Sequence, residues 1–258
     1  MGGRLATVTG KYKHHAHFRF HGVLGDFLPA GRRERWLEYA FRDRPGIKDP
    51  IEALGVPHSE VALIRVDGEP VDFHHPLQSG DRVEVWPVGP GSERLEGPPL
   101  RPPLPRPPRF VVDVNLGKLV RWLRLLGFDT AWRNDFTDRQ VVERAVAENR
   151  VILTRDRRLL FHKVIEHGFW VRAVLPDEQV REVLHRLELR QKIQPFRYCL
   201  ECNGPIRPVP KSAIIDRLEP LTRKYYEAFY QCGRCGKIYW KGSHYDNLMK
   251  KLEWLEHA

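Results

Sequence analysis

The chain has 258 residues, 41% of them hydrophobic, and a formal charge of +10; that length suits two or three small domains. No apolar run approaches the roughly 18 residues of a membrane helix, and Met1-Gly2-Gly3-Arg4 lacks the apolar stretch of a secretory signal, so a cytoplasmic protein with no membrane partner is expected. The charge is uneven: residues 1–108 carry a net +1 and residues 109–258 a net +9, which directs any polyanion to the second half.

The first 88 residues predict a mixed β and α domain. Ala16–Val23 alternates, with His17, Phe18, Arg19 and Phe20. Arg33–Phe41 has the spacing of a short amphipathic helix. Asp49-Pro50-Ile51-Glu52 is patterned as a helix start, with Asp49 as acidic N-cap and Pro50 at the first position. Val61–Val66 is a strand, Asp67-Gly68 its hairpin turn, and Arg82–Trp86 a closing strand. Strands around one helix indicate a ubiquitin-like β-grasp, and VDGEPVDF and GDRVEVWP resemble the small sulfur-carrier type. The chain runs on past this domain, so activation through a free C-terminal Gly-Gly is not expected, and a docking role for a protein partner is. His14, His15, His17 and His21 are read as solvent-facing strand histidines, with metal binding the alternative.

Residues 89–109 hold eight prolines in 21 positions. That composition predicts a semi-rigid polyproline spacer. An α/β domain is expected over 110–194. Arg109–Asp113 is an apolar strand ending in an acid. Leu116, Leu119, Val120, Leu123 and Leu126 follow helical spacing, and Gly127 stops that helix. Phe128–Trp132 is a strand, and Thr137–Glu148 a helix with Thr137 and Gln140 at capping-box spacing. Val151–Leu153 and Phe169–Leu175 are further strands, and Asp177–Leu189 a helix. This alternation implies a parallel sheet, whose sites form outside the carboxyl ends of the strands.

Three acids fall at that edge. Asp113 ends the first strand, Asp156 follows the third, and Asp138 opens the helix between. Converging carboxylates suit Mg²⁺ or Mn²⁺, which can activate water against a phosphodiester. Taken singly, Asp138 also reads as a helix-terminal acid and Asp156 as a loop cap. Lys118, Arg121 and Arg124 recur along one helix flank, and Arg155, Arg157 and Arg158 bracket Asp156. Acids for metal amid cations for phosphate is a nuclease layout, with a solvated basic face as the alternative. Asp129, in a turn, carries no expected role.

The four cysteines form the pattern C-x2-C-x29-C-x2-C: Cys199, Cys202, Cys232 and Cys235. Two thiolate pairs so spaced make a structural, tetrahedral Zn²⁺ site within a ribbon over 195–258. Tyr225, Tyr226, Tyr230, Tyr239 and Trp240 interleave with Arg217, Arg223, Lys224, Lys237 and Lys241, a mix suited to stacking on unpaired bases or to a small aromatic core.

The runs FVVDVNLGKLVRWLRLLGFDT, TDRQVVERA and RVILTRDRRLL, with the trailing CxxC pairs, resemble the Mut7-C family of PIN-like ribonuclease domains. Residues 16–88 resemble the ubiquitin-like domain fused ahead of it. The resemblance implies α/β and α+β multidomain architecture: N-terminal β-grasp, PIN-like parallel-sheet domain, C-terminal zinc ribbon. It places Asp113, Asp138 and Asp156 at the PIN acidic positions. Asn115-Leu116 stands where many relatives have Met-Leu. Arg157, Arg158, Leu159 and Leu160 stand where PIN nucleases commonly carry a fourth acid, with Asp135 or Asp177 as substitutes. The expected function is metal-dependent RNA hydrolysis, on RNA that includes tRNA or ribosome-associated species. The alternatives are a non-catalytic RNA- or ribosome-binding factor and a protein-interaction adaptor.

Overall fold

The computed structural model describes residues 14–242 and Tyr245, so the expectations for 1–13, and for 243, 244 and 246–258, lie outside the described residues. The chain forms two compact units. One comprises residues up to Pro103 together with Leu160–Gly168, the other Leu104–Leu159 together with the chain from Phe169 onward.

The first unit is a five-stranded sheet in the order β2-β1-β5-β3-β4. Its strands are β1 (His14–Phe20), β2 (Leu37–Phe41), β3 (Val61–Val66), β4 (Glu69–Val71) and β5 (Arg82–Pro87), with one short helix, α1 (Lys48–Ala53). β1 runs parallel to β5 and the other pairs are antiparallel, which is the β-grasp arrangement. On β1, Ala16, Phe18 and Phe20 point into the core while His15 and His17 are exposed. His15 faces Glu38, and His21 stacks on Trp86. Asp67 and Gly68 both take positive φ, 49° and 91°, as a two-residue hairpin turn requires.

The helix expected at Arg33–Phe41 is instead a turn over residues 33–36 followed by β2. Leu37, Tyr39 and Phe41 alternate with Glu38 and Ala40, and pairing with β1 rewards that period of two. Tyr39 meets Phe18 edge-on and stacks on Phe41. α1 begins at Lys48 with Ile47 at its N-cap, so Asp49 and Pro50 sit inside the first turn rather than before it.

The proline-rich segment is not a free spacer throughout. Arg101 donates to the carbonyls of Ser59 (2.5 Å) and His58 (3.0 Å), and Gly97 lies against Leu63 and Pro70. Leu160, Ile165 and His167, from the stretch assigned by sequence to the second domain, are buried in this first unit. His58 bridges Glu52 and the Ile165 carbonyl through its two ring nitrogens.

The second unit holds a four-stranded sheet, β7-β6-β8-β9, and a three-stranded one, β10-β11-β12. The elements are β6 (Phe110–Val112), α2 (Gly117–Leu125), β7 (Thr130–Ala131), α3 (Asp138–Glu148), β8 (Val151–Thr154), β9 (Gly168–Trp170), α4 (Pro176–Arg186), β10 (Ile206–Val209), α5 (Pro220–Tyr225), β11 (Phe229–Cys232) and β12 (Ile238–Trp240). β6 is central and parallel to both β7 and β8. β6 and β8 are wholly buried, as strands covered on both faces must be. Thr137 caps α3 in a complete capping box with Gln140. Gly127 ends α2 at φ 89°, where a Cβ would lie 1.9 Å from the Gln194 carbonyl oxygen, so only glycine fits. β9 is shorter than expected: beyond Val171 the chain leaves the sheet, and Val174 and Leu175 are exposed before Pro176 opens α4.

Candidate functional site

β6 and β8 lie side by side, so the residues that follow them share one edge. Asp113 directly follows β6 and is 5% exposed. Its Oδ1 accepts from the Asn115 N–H (2.7 Å); its Oδ2 accepts from the Thr154 hydroxyl (2.6 Å) and the Arg155 N–H (3.2 Å). Thr154 Oγ1 in turn accepts from the Asp156 N–H at 2.9 Å. One fully buried hydroxyl thus ties the loop carrying Asp156 to the Asp113 carboxylate. Asp156 is exposed, and its Oδ1 accepts from the Arg158 N–H (2.8 Å), capping the 3-10 turn Arg157–Phe161.

The structure brings Asp113 and Asp156 together through Thr154. Asp138 is exposed in the first turn of α3. Among the described residues, the acids do not form a group of three ligand atoms within 4.8 Å of one another; the four cysteines do. Of the proposed substitutes, Asp135 is held by Arg133 through two bonds, of 2.8 and 2.7 Å, and Asp177 lies in the first turn of α4.

The basic residues divide. Lys118, Arg121, Arg155, Arg157 and Arg158 are exposed. Arg155 reaches the Ala173 carbonyl and Arg157 covers the Trp170 ring at 5.0 Å. Arg124 departs from the expectation of an RNA-facing stripe. It is 4% exposed and donates to the carbonyls of Thr130, Leu200 and Glu201. Burial lowers its pKa, and Cys199, Cys202 and Glu201 oppose that shift. The reason is helical phase: Arg124 follows Leu123 on the buried side of α2, while Lys118 and Arg121 lie on the outer side.

Asp129 also departs from its expected neutrality. It accepts from Arg150 Nη1 (2.7 Å), Arg109 Nε (3.2 Å) and Asn203 Nδ2 (2.7 Å). Burial pushes its pKa up, but the Arg150 and Asn203 hydrogen bonds and the two arginine charges outweigh that and hold it low. Asn203, at φ 60° just past the first cysteine pair, also accepts from the Thr130 N–H. Arg124 and Asn203 therefore bolt the first cysteine knuckle onto the α/β sheet. Neither role is visible in residue type or spacing.

The cysteines are free thiols. Cys199 and Cys235 Sγ are 3.6 Å apart and Cys202 and Cys232 Sγ 3.4 Å, with all four within 4.8 Å of one another. Metal–sulfur bonds near 2.3 Å need tetrahedron edges of about 3.8 Å, so the donor set fits a tetrahedral ion. The Tyr239 hydroxyl donates to Cys199 Sγ (3.0 Å), and the N–H groups of Arg234 and Cys235 point at Cys232 Sγ. Such donors orient and stabilise thiolates. Gly204 faces Cys232 Sγ so closely that a Cβ would lie 2.8 Å from it.

Residues 108–252, from the foot of β6 through the ribbon, match the Mut7-C RNAse domain. The chain belongs to the Mut7-C RNAse domain family. Residues 13–92 match the Mut7-C ubiquitin domain, in agreement with the β-grasp sheet order. No curated protein and no solved structure matches the chain. The Mut7-C RNAse match runs across both the parallel sheet and the cysteine cluster, which the Arg124 and Asn203 contacts hold as one unit. Among the described residues no helix is long and apolar enough to cross a membrane.

Proposed function

We propose that the chain is a metal-dependent ribonuclease that hydrolyses RNA phosphodiester bonds at the edge formed by Asp113 and Asp156. The observation that carries this reading is the Asp113 cradle: three donors fix a buried carboxylate, and Thr154 links it to the backbone N–H of a second acid, Asp156, in the loop after the adjacent strand. A carboxylate offers about four lone-pair sites. Asp113 keeps one and Asp156 keeps most of its own, which fits a divalent ion that retains several waters. Mg²⁺ or Mn²⁺, if held there by Asp113 and Asp156, would supply an activated water and neutralise charge on the phosphate. Asp113 serves as the fixed anchor and Asp156 as the open, solvent-side ligand. Asp138 contributes at longer range. Lys118, Arg121, Arg155, Arg157 and Arg158 position RNA phosphates.

The cysteine cluster holds structural Zn²⁺; four thiolates against one dication change the formal charge from +10 to +8. The ubiquitin-like unit is a docking module for a protein partner, and the protein works in the cytoplasm, on tRNA or ribosome-associated RNA among its candidate targets. One observation favours a second reading, an RNA- or ribosome-binding factor without catalysis: the Asp156 carboxylate already caps its own turn.

Single-turnover cleavage of labelled RNA with Mn²⁺, with and without EDTA, separates the two. Asp113→Asn and Asp156→Asn should each slow cleavage at least roughly a hundredfold while RNA binding persists. Equal cleavage by wild type and Asp156→Asn would remove the acidic edge from the mechanism. No cleavage by wild type with any divalent ion would leave the binding-factor reading.

A further inference from the structure

The outer face of α2 and the cysteine ribbon enclose a cleft of about 580 Å³. Six rings line it: Trp122, Phe196, Tyr198, Tyr239, Trp240 and Tyr245. Among the described residues its lining cations are Lys118, Arg121 and Lys237, the last paired with Glu201 at 2.7 Å. Several rings are fixed from behind. Tyr239 is pinned by its hydroxyl, which donates to Cys199 Sγ and accepts from the Leu200 N–H at 3.1 Å. Phe196 leans on Tyr230 and Tyr245 at 5.2 and 5.0 Å. Trp240 packs beside Phe229 at 6.4 Å and still leaves 36% of its surface exposed.

A purely apolar docking face would not need the exposed cations Lys118 and Arg121 along its wall. A duplex-binding surface would not need a recess lined by rings, because paired bases cannot leave their stack to enter it. Aromatic platforms flanked by cations are what unpaired bases with their phosphates select. The cleft is lined along the helix that follows Asp113 in the chain. Asp113 directly follows β6, α2 begins four residues later, and Lys118 and Arg121 lie one turn apart on its outer face. Phosphates that followed Arg121 and then Lys118 would run toward the N-terminal end of α2, which Asp113 precedes by four residues.

We propose that this cleft binds unpaired nucleobases of the RNA, so that the protein selects single-stranded over double-stranded substrate. This deepens the ribonuclease reading and rests on RNA being its ligand, but not on cleavage occurring.

The test uses the full-length, zinc-loaded protein with 2-aminopurine-labelled single-stranded RNA and a matched duplex. Single-stranded RNA should bind with quenching of the probe, and the duplex at least about tenfold more weakly. Tyr198→Ala and Arg121→Ala should each weaken single-strand binding about five- to a hundredfold. Tyr198→Phe, which keeps the ring, should bind as wild type and guards against a folding defect in Tyr198→Ala. Asp113→Asn should bind and quench normally, so loss of cleavage alone leaves the cleft assignment standing. Equal affinity for the duplex, or unchanged binding by both Tyr198→Ala and Arg121→Ala, would overturn the proposal. So would a solution dimer abolished by Trp240→Ala, which would assign the cleft to a second copy of the chain.

Discussion

The Thr154 hydroxyl lies 2.6 Å from Asp113 Oδ2 and is fully buried, so the two side chains form one fixed unit across neighbouring parallel strands. Thr154→Val keeps the shape and removes the donor. It should lower stability by about 1.5–3 kcal/mol, the scale for a lost bond to a charged group. It should also slow cleavage at saturating RNA, with affinity little changed, because Asp113 and the Asp156 loop lose their common anchor. Thr154→Ser should restore both. Chemical denaturation with single-turnover kinetics reads the two effects, and a Thr154→Val protein of normal stability would refute the linkage.

Asp129→Asn should be clearly destabilising although it lies away from the acidic edge. The amide removes the charge shared by Arg109 and the 5%-exposed Arg150, leaving Glu148 as their remaining acid. A loss of about 2 kcal/mol or more is expected in urea denaturation. A change within about 0.5 kcal/mol would contradict the hub role.

Arg124 and Arg121 should separate in salt titrations of RNA binding. Arg121→Ala should reduce the slope of affinity against salt by about one unit. Arg124→Met should leave that slope alone and instead lower stability, since three carbonyls lose their donor. Equal slopes for the Arg121 variant and wild type would place Arg121 away from phosphate.

Elemental analysis should find about one zinc per chain. Cys232→Ser, or chelation, should speed hydrogen exchange beyond about residue 195, where the small core of Ile214, Leu218 and Phe229 depends on the knuckles around it. A metal-free protein with that region fully protected would exclude a structural ion.

His167 gives the first unit a pH dependence. Burial, with the nearby Arg101 charge, lowers its pKa to about 4. The unfolded chain takes up the proton near pH 6.5 and the folded one does not until about 4. Stability is therefore fully present above pH 6.5 and is lost as pH falls toward 4, by up to about 1.4 kcal/mol per pH unit. His167→Phe should flatten that slope, and an unchanged slope would assign it to other groups.

Signals confined to a few neighbouring residues could be read from the sequence by themselves. The Thr137–Gln140 capping box, the left-handed stop at Gly127, the Asp67-Gly68 turn and the paired thiols all appear in the structure where their local chemistry required them. The acids that follow β6 and β8 were legible because alternating elements force a parallel sheet with one common edge. Tertiary structure decided whatever depended on a partner distant in the chain. Leu37–Phe41 became a strand because β1 offered it a ladder, which outweighs weak helical spacing. Leu160–Gly168 joined the first unit because its apolar side chains found burial there. Arg124 turned inward to carbonyls more than 70 positions away, and Asp129 gathered two arginines and Asn203, because buried polar groups must find partners wherever the fold supplies them. Spacing along a chain records the first kind of constraint and is silent on the second.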